Sequence, residues 1–180
     1  MAKPNIVQSL KIHNDLRKED VVKVLAYNPV TGLFVWKNRP DIRPCVNANF
    51  RGKIAGRPNT WGHIQITING KIYVAHRLAW LVMTGKWPKE LIDHKNNIPS
   101  DNRWKNIRQA SKLQNGHNRA TNANNKSRYK GVKIRKKGFQ SAIQFNNKQI
   151  YLGSFATAKE AHAAYQKAAT KLFGRFARFA

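Results

Sequence analysis

The sequence has one cysteine, few acidic residues and no long apolar run. The single thiol, Cys45, excludes a disulfide within the chain and a Cys-rich structural zinc site, so no structural zinc is expected. No apolar run approaches the length needed to cross a bilayer, and residues 1–10 lack the apolar core of a signal sequence. We therefore expect a cytoplasmic protein that does not bind a membrane.

Acidic residues are scarce relative to basic ones. The 180 residues include 34 Lys and Arg against 8 Asp and Glu, which gives a formal net charge of +26 and implies a polyanionic partner. The basic residues are interleaved with Trp, Tyr and Phe and form no long amphipathic helix, a pattern that favours nucleic acid over an anionic membrane. A chain of this length allows one compact domain or two small ones.

The most informative segment places an acid beside a base. Leu91–His94 ends in Asp93 and His94, and a polar loop with one proline leads to a second short run, Asn106-Ile107-Arg108, ahead of Ser111. Ser111 and Gln114 then form a capping-box pattern that puts Asn115 in the first turn of a helix. This order predicts a two-stranded ribbon followed by a helix.

Strand geometry indicates that Asp93 and His94 have different roles. Asp93 and His94 point to opposite faces, so they do not share one role. If Asp93 faces the helix, its carboxylate and the amide oxygen of Asn115 converge on a hard cation such as Mg²⁺. His94 is then free to take a proton from a water that attacks phosphorus, with Asn106 holding the ring in its useful tautomer.

At Asp93-His94, Asn106 and Asn115 the chain resembles the HNH endonucleases, or ββα-metal nucleases, and specifically their phage and intron homing branch. The resemblance implies hydrolysis of DNA with one divalent metal ion: His94 as general base, Asn106 orienting it, and Asp93 and Asn115 as ligands. Asn115 stands where many members have a second His, which shifts the expected metal toward Mg²⁺ or Mn²⁺. His117 is a rival ligand, but it should point away from the metal-facing side of the helix.

The residues ahead of this segment extend the resemblance back to about residue 24. Alternating apolar residues from 64 to 74, with Asn69-Gly70 between them, predict a β-hairpin, and residues 76–83 predict a buried helix ended by Gly85. His76 is interpreted as structural. Further upstream we expect a short helix after Glu19, a strand at residues 33–36 and irregular structure from residue 39 to 57.

The sequence changes character after His117. Residues 119–127 are rich in Asn, Ala and Lys and are interpreted as a linker between a nuclease domain at 1–118, with its core at about 60–118, and a second domain at 128–180. Strand-like runs at 129–134, 139–145 and 149–152 are followed by a helix that Thr157 and Glu160 begin with a capping box. The predicted fold class is thus α+β, with a β-hairpin and helix before the ββα unit and a three-stranded antiparallel sheet packed on one helix at the C-terminus.

The second domain resembles the AP2/ERF DNA-binding domain in Tyr-Lys-Gly-Val at 129–132, Tyr-Leu-Gly-Ser-Phe at 151–155 and the Ala-rich helix after Thr157. The resemblance implies a sheet in the major groove of double-stranded DNA. The residues that it would turn toward DNA are Lys130, Lys133, Arg135, Lys137, Gln144 and Tyr151. Several of them replace Arg or Trp, so the base preference of plant members is not carried over.

The sequence as a whole therefore predicts a metal-dependent DNA endonuclease of homing type, targeted by its C-terminal domain and monomeric in its simplest form. One alternative is a non-catalytic DNA-binding regulator in which the HNH unit is a relic. A weaker alternative is an RNA-directed protein, which competition between duplex DNA and structured RNA would distinguish.

Overall fold

The computed structural model describes residues 13–118, residue 121 and residues 124–179, without the side chain of His117. The N-terminal segment 1–10 and residues 119, 120, 122 and 123 of the predicted linker lie outside this part. The chain forms two compact units, Met1–Gln109 and Ala110–Ala180, and each is treated by itself. Within the described residues, no helix has the length and apolar character that a membrane span requires.

The first unit combines short helices with small sheets. Its helices are α1 (Lys18–Val24), α2 (Pro44–Phe50) and α3 (Ala75–Thr84), and its strands are β1 (Leu25–Tyr27), β2 (Phe34–Trp36), β3 (Arg57–Pro58), β4 (Ile64–Ile68), β5 (Lys71–Val74), β6 (Leu91–His94) and β7 (Ile107–Ala110). Strands β1 and β2 pair antiparallel, β3, β4 and β5 form an antiparallel sheet in that order, and β6 pairs with β7. A 3-10 helix, Trp104–Asn106, precedes β7. The predicted mixture of helix and strand is confirmed.

The β4–β5 hairpin follows from its sequence. Ile66 and Ile68 alternate with polar residues and are buried, while Asn69 and Gly70 adopt φ angles of 50° and 74°, the combination of a tight type I′ turn. Helix α3 begins directly after β5 and ends at Gly85, whose φ of 75° is the left-handed conformation of a helix C-terminus. Both elements were predicted, and both contribute residues to the core of this unit.

The expectation of irregular structure from residue 39 to 57 is wrong for Pro44–Phe50, which form α2. Pro44 occupies the first helical turn, where its fixed φ angle suits a helix and its missing N–H costs no hydrogen bond. None of the residues of α2 is buried. Because the helix has no buried stripe, it leaves no apolar period in the sequence.

The second unit contains one sheet and one long helix. Its elements are α4 (Lys112–His117), β8 (Val132–Arg135), β9 (Gly138–Phe145), β10 (Lys148–Phe155) and α5 (Ala158–Phe173), followed by a 3-10 helix, Gly174–Phe176. The sheet is antiparallel in the order β10-β9-β8. Both predicted capping boxes are present, since Ser111 Oγ accepts from Gln114 N at 3.2 Å and Thr157 Oγ1 accepts from Glu160 N at 3.2 Å.

One face of this sheet packs on α5. Val132 and Ile143 of the sheet and Ala161 and Tyr165 of the helix are buried. The approach is so close that a Cβ at Gly131, whose φ is 78°, would lie 1.9 Å from Cδ2 of Tyr165. Glycine is therefore required there. The likeness of this unit to the AP2/ERF family stays a prediction.

Strand β10 contains an irregularity near its middle. Tyr151 pairs with Ala142, and the next pair is Gly153 with Ser141, so Leu152 is an extra residue. Leu152 is half-buried and packs on the core of the second unit. The feature is a β-bulge, in which two residues of one strand oppose one of its partner.

Candidate functional site

His94 is the last residue of β6 and is 5% exposed. Burial lowers the pKa of its imidazole, because a charged ring is poorly solvated there; a hydrogen bond with Asn102 and the negative charges of Asp93 and Asp101 act in the opposite direction. The net shift is downward. The ring is therefore neutral at pH 7 and retains a lone pair that can accept a proton.

The amide of Asn102 fixes the orientation of this ring. Asn102 Oδ1 lies 3.2 Å from His94 Nε2, and Asn102 Nδ2 donates to the carbonyl of Ser100 at 3.3 Å, which turns the amide oxygen toward the imidazole. Because a carbonyl oxygen only accepts, His94 Nε2 carries the proton and the basic lone pair is on Nδ1. Sequence analysis missed Asn102, whose only signal is its position in the polar loop after His94.

Asn106 serves the loop between β6 and β7. Its side-chain Nδ2 donates to Asn96 Oδ1 at 2.9 Å and to the carbonyl of Asp101 at 2.8 Å, and its Oδ1 accepts from Asn96 N at 3.1 Å. The sequence predicts that Asn106 holds the ring of His94. In the structure these hydrogen bonds run to the loop instead, and Asn102 supplies the amide at the imidazole.

Asp101 also stabilises this loop, through hydrogen bonds to a guanidinium group and to a side-chain amide. Its Oδ1 accepts from Arg103 Nε at 2.7 Å and its Oδ2 accepts from Asn96 Nδ2 at 2.7 Å. The hydrogen bonds from Arg103 are the main reason that the pKa of Asp101 falls to about 2. The loop that carries Asn102 is thus held on both sides, by Asn106 and by Arg103.

The turn between β1 and β2 packs directly on this loop. The hydroxyl of Tyr27 donates to the carbonyl of Asn102 at 2.7 Å, and Trp104 N donates to the carbonyl of Pro29 at 2.9 Å. Gly32 has a φ of 76°, and a Cβ there would lie 2.4 Å from the backbone nitrogen of Arg103. The N-terminal hairpin therefore positions the residue that orients His94.

Asp93 precedes His94 and is 4% exposed. Its carboxylate is bound by Arg108 of β7, whose Nε and Nη2 both lie 2.8 Å from Asp93 Oδ2. A buried carboxylate without such a partner would be costly, so this ion pair keeps an oxygen ligand in place. Sequence analysis named Asp93 but not Arg108.

Asn115 belongs to α4 and therefore to the second unit. It is exposed, and its backbone nitrogen donates to the carbonyl of Ser111 at 2.9 Å, as expected for the first turn of a helix. The side chain of the rival ligand His117 lies outside the described residues. The carboxylate oxygen of Asp93 and the amide oxygen of Asn115 are each donors of the type that suits Mg²⁺ or Mn²⁺, and their binding of one ion together stays a prediction.

Two further imidazoles surround His94. His63 lies directly before β4 and His76 is in the first turn of α3, and the ring centroids of both are 5.1–5.6 Å from that of His94. One ring nitrogen of each of the three residues lies within 4.8 Å of those of the other two. Burial also lowers the pKa of His63 and lowers that of His76 well below its usual value. Sequence spacing gave no sign that these three residues meet.

The predicted DNA-binding residues concentrate on one face of the second unit. Lys133 pairs with Gln140 and Tyr151 with Ala142, so Lys133, Arg135, Gln144 and Tyr151 share the face of the sheet opposite α5. All four are exposed. Lys137 is exposed in the β8–β9 turn, whereas Lys130 is half-buried, and burial lowers its pKa to about 8.

One part of the chain matches a known protein family. Residues 73–117, which are 45 of the 180, match the family model described as HNH endonuclease. The matched segment includes Asp93, His94, Asn102 and Arg108. No curated protein matches the sequence.

A solved structure described as "DNA binding and cleavage by the HNH homing endonuclease I-HmuI" is similar over part of the chain. The sequence identity is 20%, the similar region covers 53% of this chain, and the TM-score is 0.39. The chain spans about half of that protein, 51% of its length. A TM-score this low does not establish a shared fold.

Proposed function

We propose that this protein is a metal-dependent DNA endonuclease of homing type, in which His94 is the general base that activates water. The observation that carries the proposal is the environment of His94. Its imidazole is buried and neutral, it is oriented by Asn102, and it lies within the segment that matches the HNH endonucleases. These are the properties that a base acting near pH 7 requires.

The proposed step is hydrolysis of a phosphodiester bond. His94 Nδ1 takes a proton from water as the water oxygen bonds to phosphorus, and the bond between phosphorus and one sugar oxygen breaks. The departing oxygen gains a proton from solvent, which leaves a phosphate monoester and a hydroxyl. The negative charges near His94 at Asp93 and Asp101 favour the imidazolium that forms.

Asp93 and Asn115 are the proposed metal ligands. HNH nucleases use a divalent metal ion, and these two oxygen donors suit Mg²⁺ or Mn²⁺. When bound, such an ion would stabilise the charge that grows on the phosphate and on the departing oxygen. Arg108 would hold the carboxylate of Asp93 ready for it.

Residues 128–180, the part of the second unit that contains β8, β9, β10 and α5, are the proposed targeting domain for double-stranded DNA. The exposed sheet face with Lys133, Arg135, Gln144 and Tyr151 supports this role. Lys130, before the start of β8, and Lys137, in the β8–β9 turn, complete the proposed set. Residues 126–180 contain 13 Lys and Arg against one acidic residue, Glu160, which favours contacts with phosphates. A monomer with one active centre would nick one strand at a time.

The test is the conversion of supercoiled plasmid that carries the DNA flanking the gene. Wild-type protein, His94→Ala and the control His13→Ala are each incubated with Mg²⁺ or with EDTA. The proposal requires open-circle or linear product that depends on both the metal and His94 and is unchanged in the control. Binding without cutting, on this plasmid and with Mn²⁺ also, would instead establish the non-catalytic DNA-binding alternative.

A further inference from the structure

The three imidazoles of the first unit come from three separate elements. His63 lies before β4, His76 is in α3 and His94 ends β6, and their ring centroids are separated by 5.1 Å, 5.1 Å and 5.6 Å. Three polar rings packed in a largely buried position need partners for their nitrogen atoms. The contacts of these nitrogens therefore indicate what the cluster accommodates.

Two of these nitrogens are buried without a partner among the described residues: Nδ1 of His63 and Nδ1 of His76. The backbone of Pro99 acts on the ring of His63 and partly offsets the lowering of its pKa by burial. A neutral imidazole has one nitrogen with a lone pair, and a buried nitrogen without a hydrogen-bond partner can offer that lone pair to a cation. The two buried Nδ1 atoms therefore fit a site for a metal ion.

We propose that His63, His76 and His94 form a second metal site, which takes a transition-metal cation such as Zn²⁺ and thereby inhibits the nuclease. Nitrogen donors of imidazole favour Zn²⁺, Co²⁺, Ni²⁺ or Cu²⁺, whereas the oxygen donors at Asp93 and Asn115 favour Mg²⁺ or Mn²⁺. The two sets of donors should therefore bind different metals: the three imidazoles a transition metal, and the two oxygen donors Mg²⁺ or Mn²⁺. The inhibition, but not the binding, rests on the proposed role of His94 as the base.

The geometry requires only a small closure. Two ligands of a tetrahedral zinc ion with Zn–N bonds of 2.0–2.1 Å are separated by about 3.3 Å. The three ring nitrogens already lie within 4.8 Å of one another. His63 lies before β4, at the end of a turn in which Asn59 Oδ1 accepts from the backbone nitrogens of Trp61 and His63, so this ligand belongs to a turn and not to a strand.

Occupation of this site removes the base from the reaction. A lone pair of His94 that binds a cation cannot accept a proton from water, and an added positive charge also opposes the formation of an imidazolium. Three protein ligands leave the fourth position of the cation to water. The cluster therefore acts as a reversible inhibitory site, which Mg²⁺ does not occupy.

Binding is tested directly, apart from activity. The full chain carries Cys45→Ser, because this exposed thiol would itself bind a soft metal. Co²⁺ is titrated into this protein and into the same protein with His63→Gln, His76→Gln or the control His13→Gln, and the visible absorption of tetrahedral Co²⁺ is recorded. We expect one site, displaced by Zn²⁺, whose affinity falls at least about tenfold in His63→Gln and His76→Gln but not in the control.

His76 is buried, so His76→Gln can disturb folding, and His63→Gln is the decisive variant. Intact affinity in folded His63→Gln, or the absence of tetrahedral absorption in the parent protein, overturns the site. Micromolar Zn²⁺ should also inhibit plasmid cutting in Mg²⁺ by the parent protein and inhibit His63→Gln at least about tenfold more weakly. Co²⁺ binding that depends on His63, in a protein that cuts no DNA, would uphold the site and refute the proposed nuclease.

Discussion

Arg108 directs two nitrogens, Nε and Nη2, at the same carboxylate oxygen of Asp93, each at 2.8 Å. Both side chains are largely buried, with exposures of 11% for Arg108 and 4% for Asp93. Two charges withdrawn from water are tolerated only as a pair. The Asp93–Arg108 ion pair therefore connects β6, the strand that ends in His94, to β7. Removal of either charge alone should destabilise the protein.

Arg108→Leu should destabilise the first unit by about 3–5 kcal/mol, because the buried Asp93 carboxylate loses the positive charge of Arg108. The double variant Asp93→Asn, Arg108→Leu should recover part of this loss. Tryptophan fluorescence during unfolding in urea is a suitable measurement, since all five tryptophans lie in the first unit: Trp36, Trp61, Trp80, Trp87 and Trp104. Equal losses in the single and double variants would show that the pair is not coupled.

Asn102→Ala should lower the turnover number of DNA cleavage by about 10–100-fold, because the ring of His94 loses the hydrogen bond that selects its tautomer. The affinity for DNA should be unchanged. Asn102→Asp keeps an acceptor oxygen at the ring and should retain more activity than Asn102→Ala. Single-turnover cleavage, measured beside binding in EDTA, separates the two effects. A loss of affinity with unchanged turnover would exclude an orienting role.

Tyr27→Phe should reduce the free energy of unfolding by about 1–3 kcal/mol, because the buried carbonyl of Asn102 loses its donor. Tryptophan fluorescence in urea again reports on the unit concerned. Tyr151→Phe is the matched control, since that hydroxyl contacts Ser154 in the exposed part of the second unit. If both changes have the same effect on this signal, the contact between the hairpin and the loop does not contribute to stability.

Asp101 should titrate with a pKa of about 2, against an ordinary value of 3.8. Since the folded pKa lies below the unfolded one, the contribution of this group to stability is complete above about pH 4 and is lost as the pH falls from 3.8 toward 2. Carboxyl carbon chemical shifts measured by NMR give the pKa directly. In Arg103→Ala the pKa should return toward 3.8, and an unchanged value would rule out the Arg103 hydrogen bonds as its cause.

Lys133→Ala should weaken binding to all DNA sequences alike and reduce the slope of log affinity against log salt by about one, as expected for the loss of one phosphate contact. The control is Lys167→Ala, an exposed residue of α5, which packs on the opposite face of the sheet. Binding is measured by fluorescence anisotropy on a cognate and a scrambled duplex. A change restricted to the preferred sequence would instead indicate that Lys133 reads bases.

Local patterns predicted most of the elements in both units. The Ile64–Ile68 alternation, the Asn69-Gly70 turn and the capping boxes at Ser111 and Thr157 depend on neighbours within a few residues, and all are present. Helix α2 was missed because it buries none of its residues. Patterns of burial cannot reveal an element that does not contribute to the core.

The site was predicted less completely than the elements. Asp93 and His94 were found because they are adjacent at the end of an apolar run. Asn102 and His63 depend on contacts between elements: a loop that folds back on β6, and a turn that approaches it from residues about 30 positions earlier. Contacts between distant segments leave no periodic pattern in the sequence. The hydrogen bond between Asn102 and His94 and the cluster of three histidines therefore could not be predicted from the sequence.

The bulge in β10 affects how this sheet should be compared with other sequences. On either side of Leu152 the residues keep the faces that an uninterrupted pairing with β9 would give them: Tyr151 opposite Ala142, and Gly153 opposite Ser141. A related chain without this residue would present the same side chains on each face. A one-residue gap at position 152 in an alignment would therefore mark the loss of a bulge and leave the surface proposed to meet DNA intact.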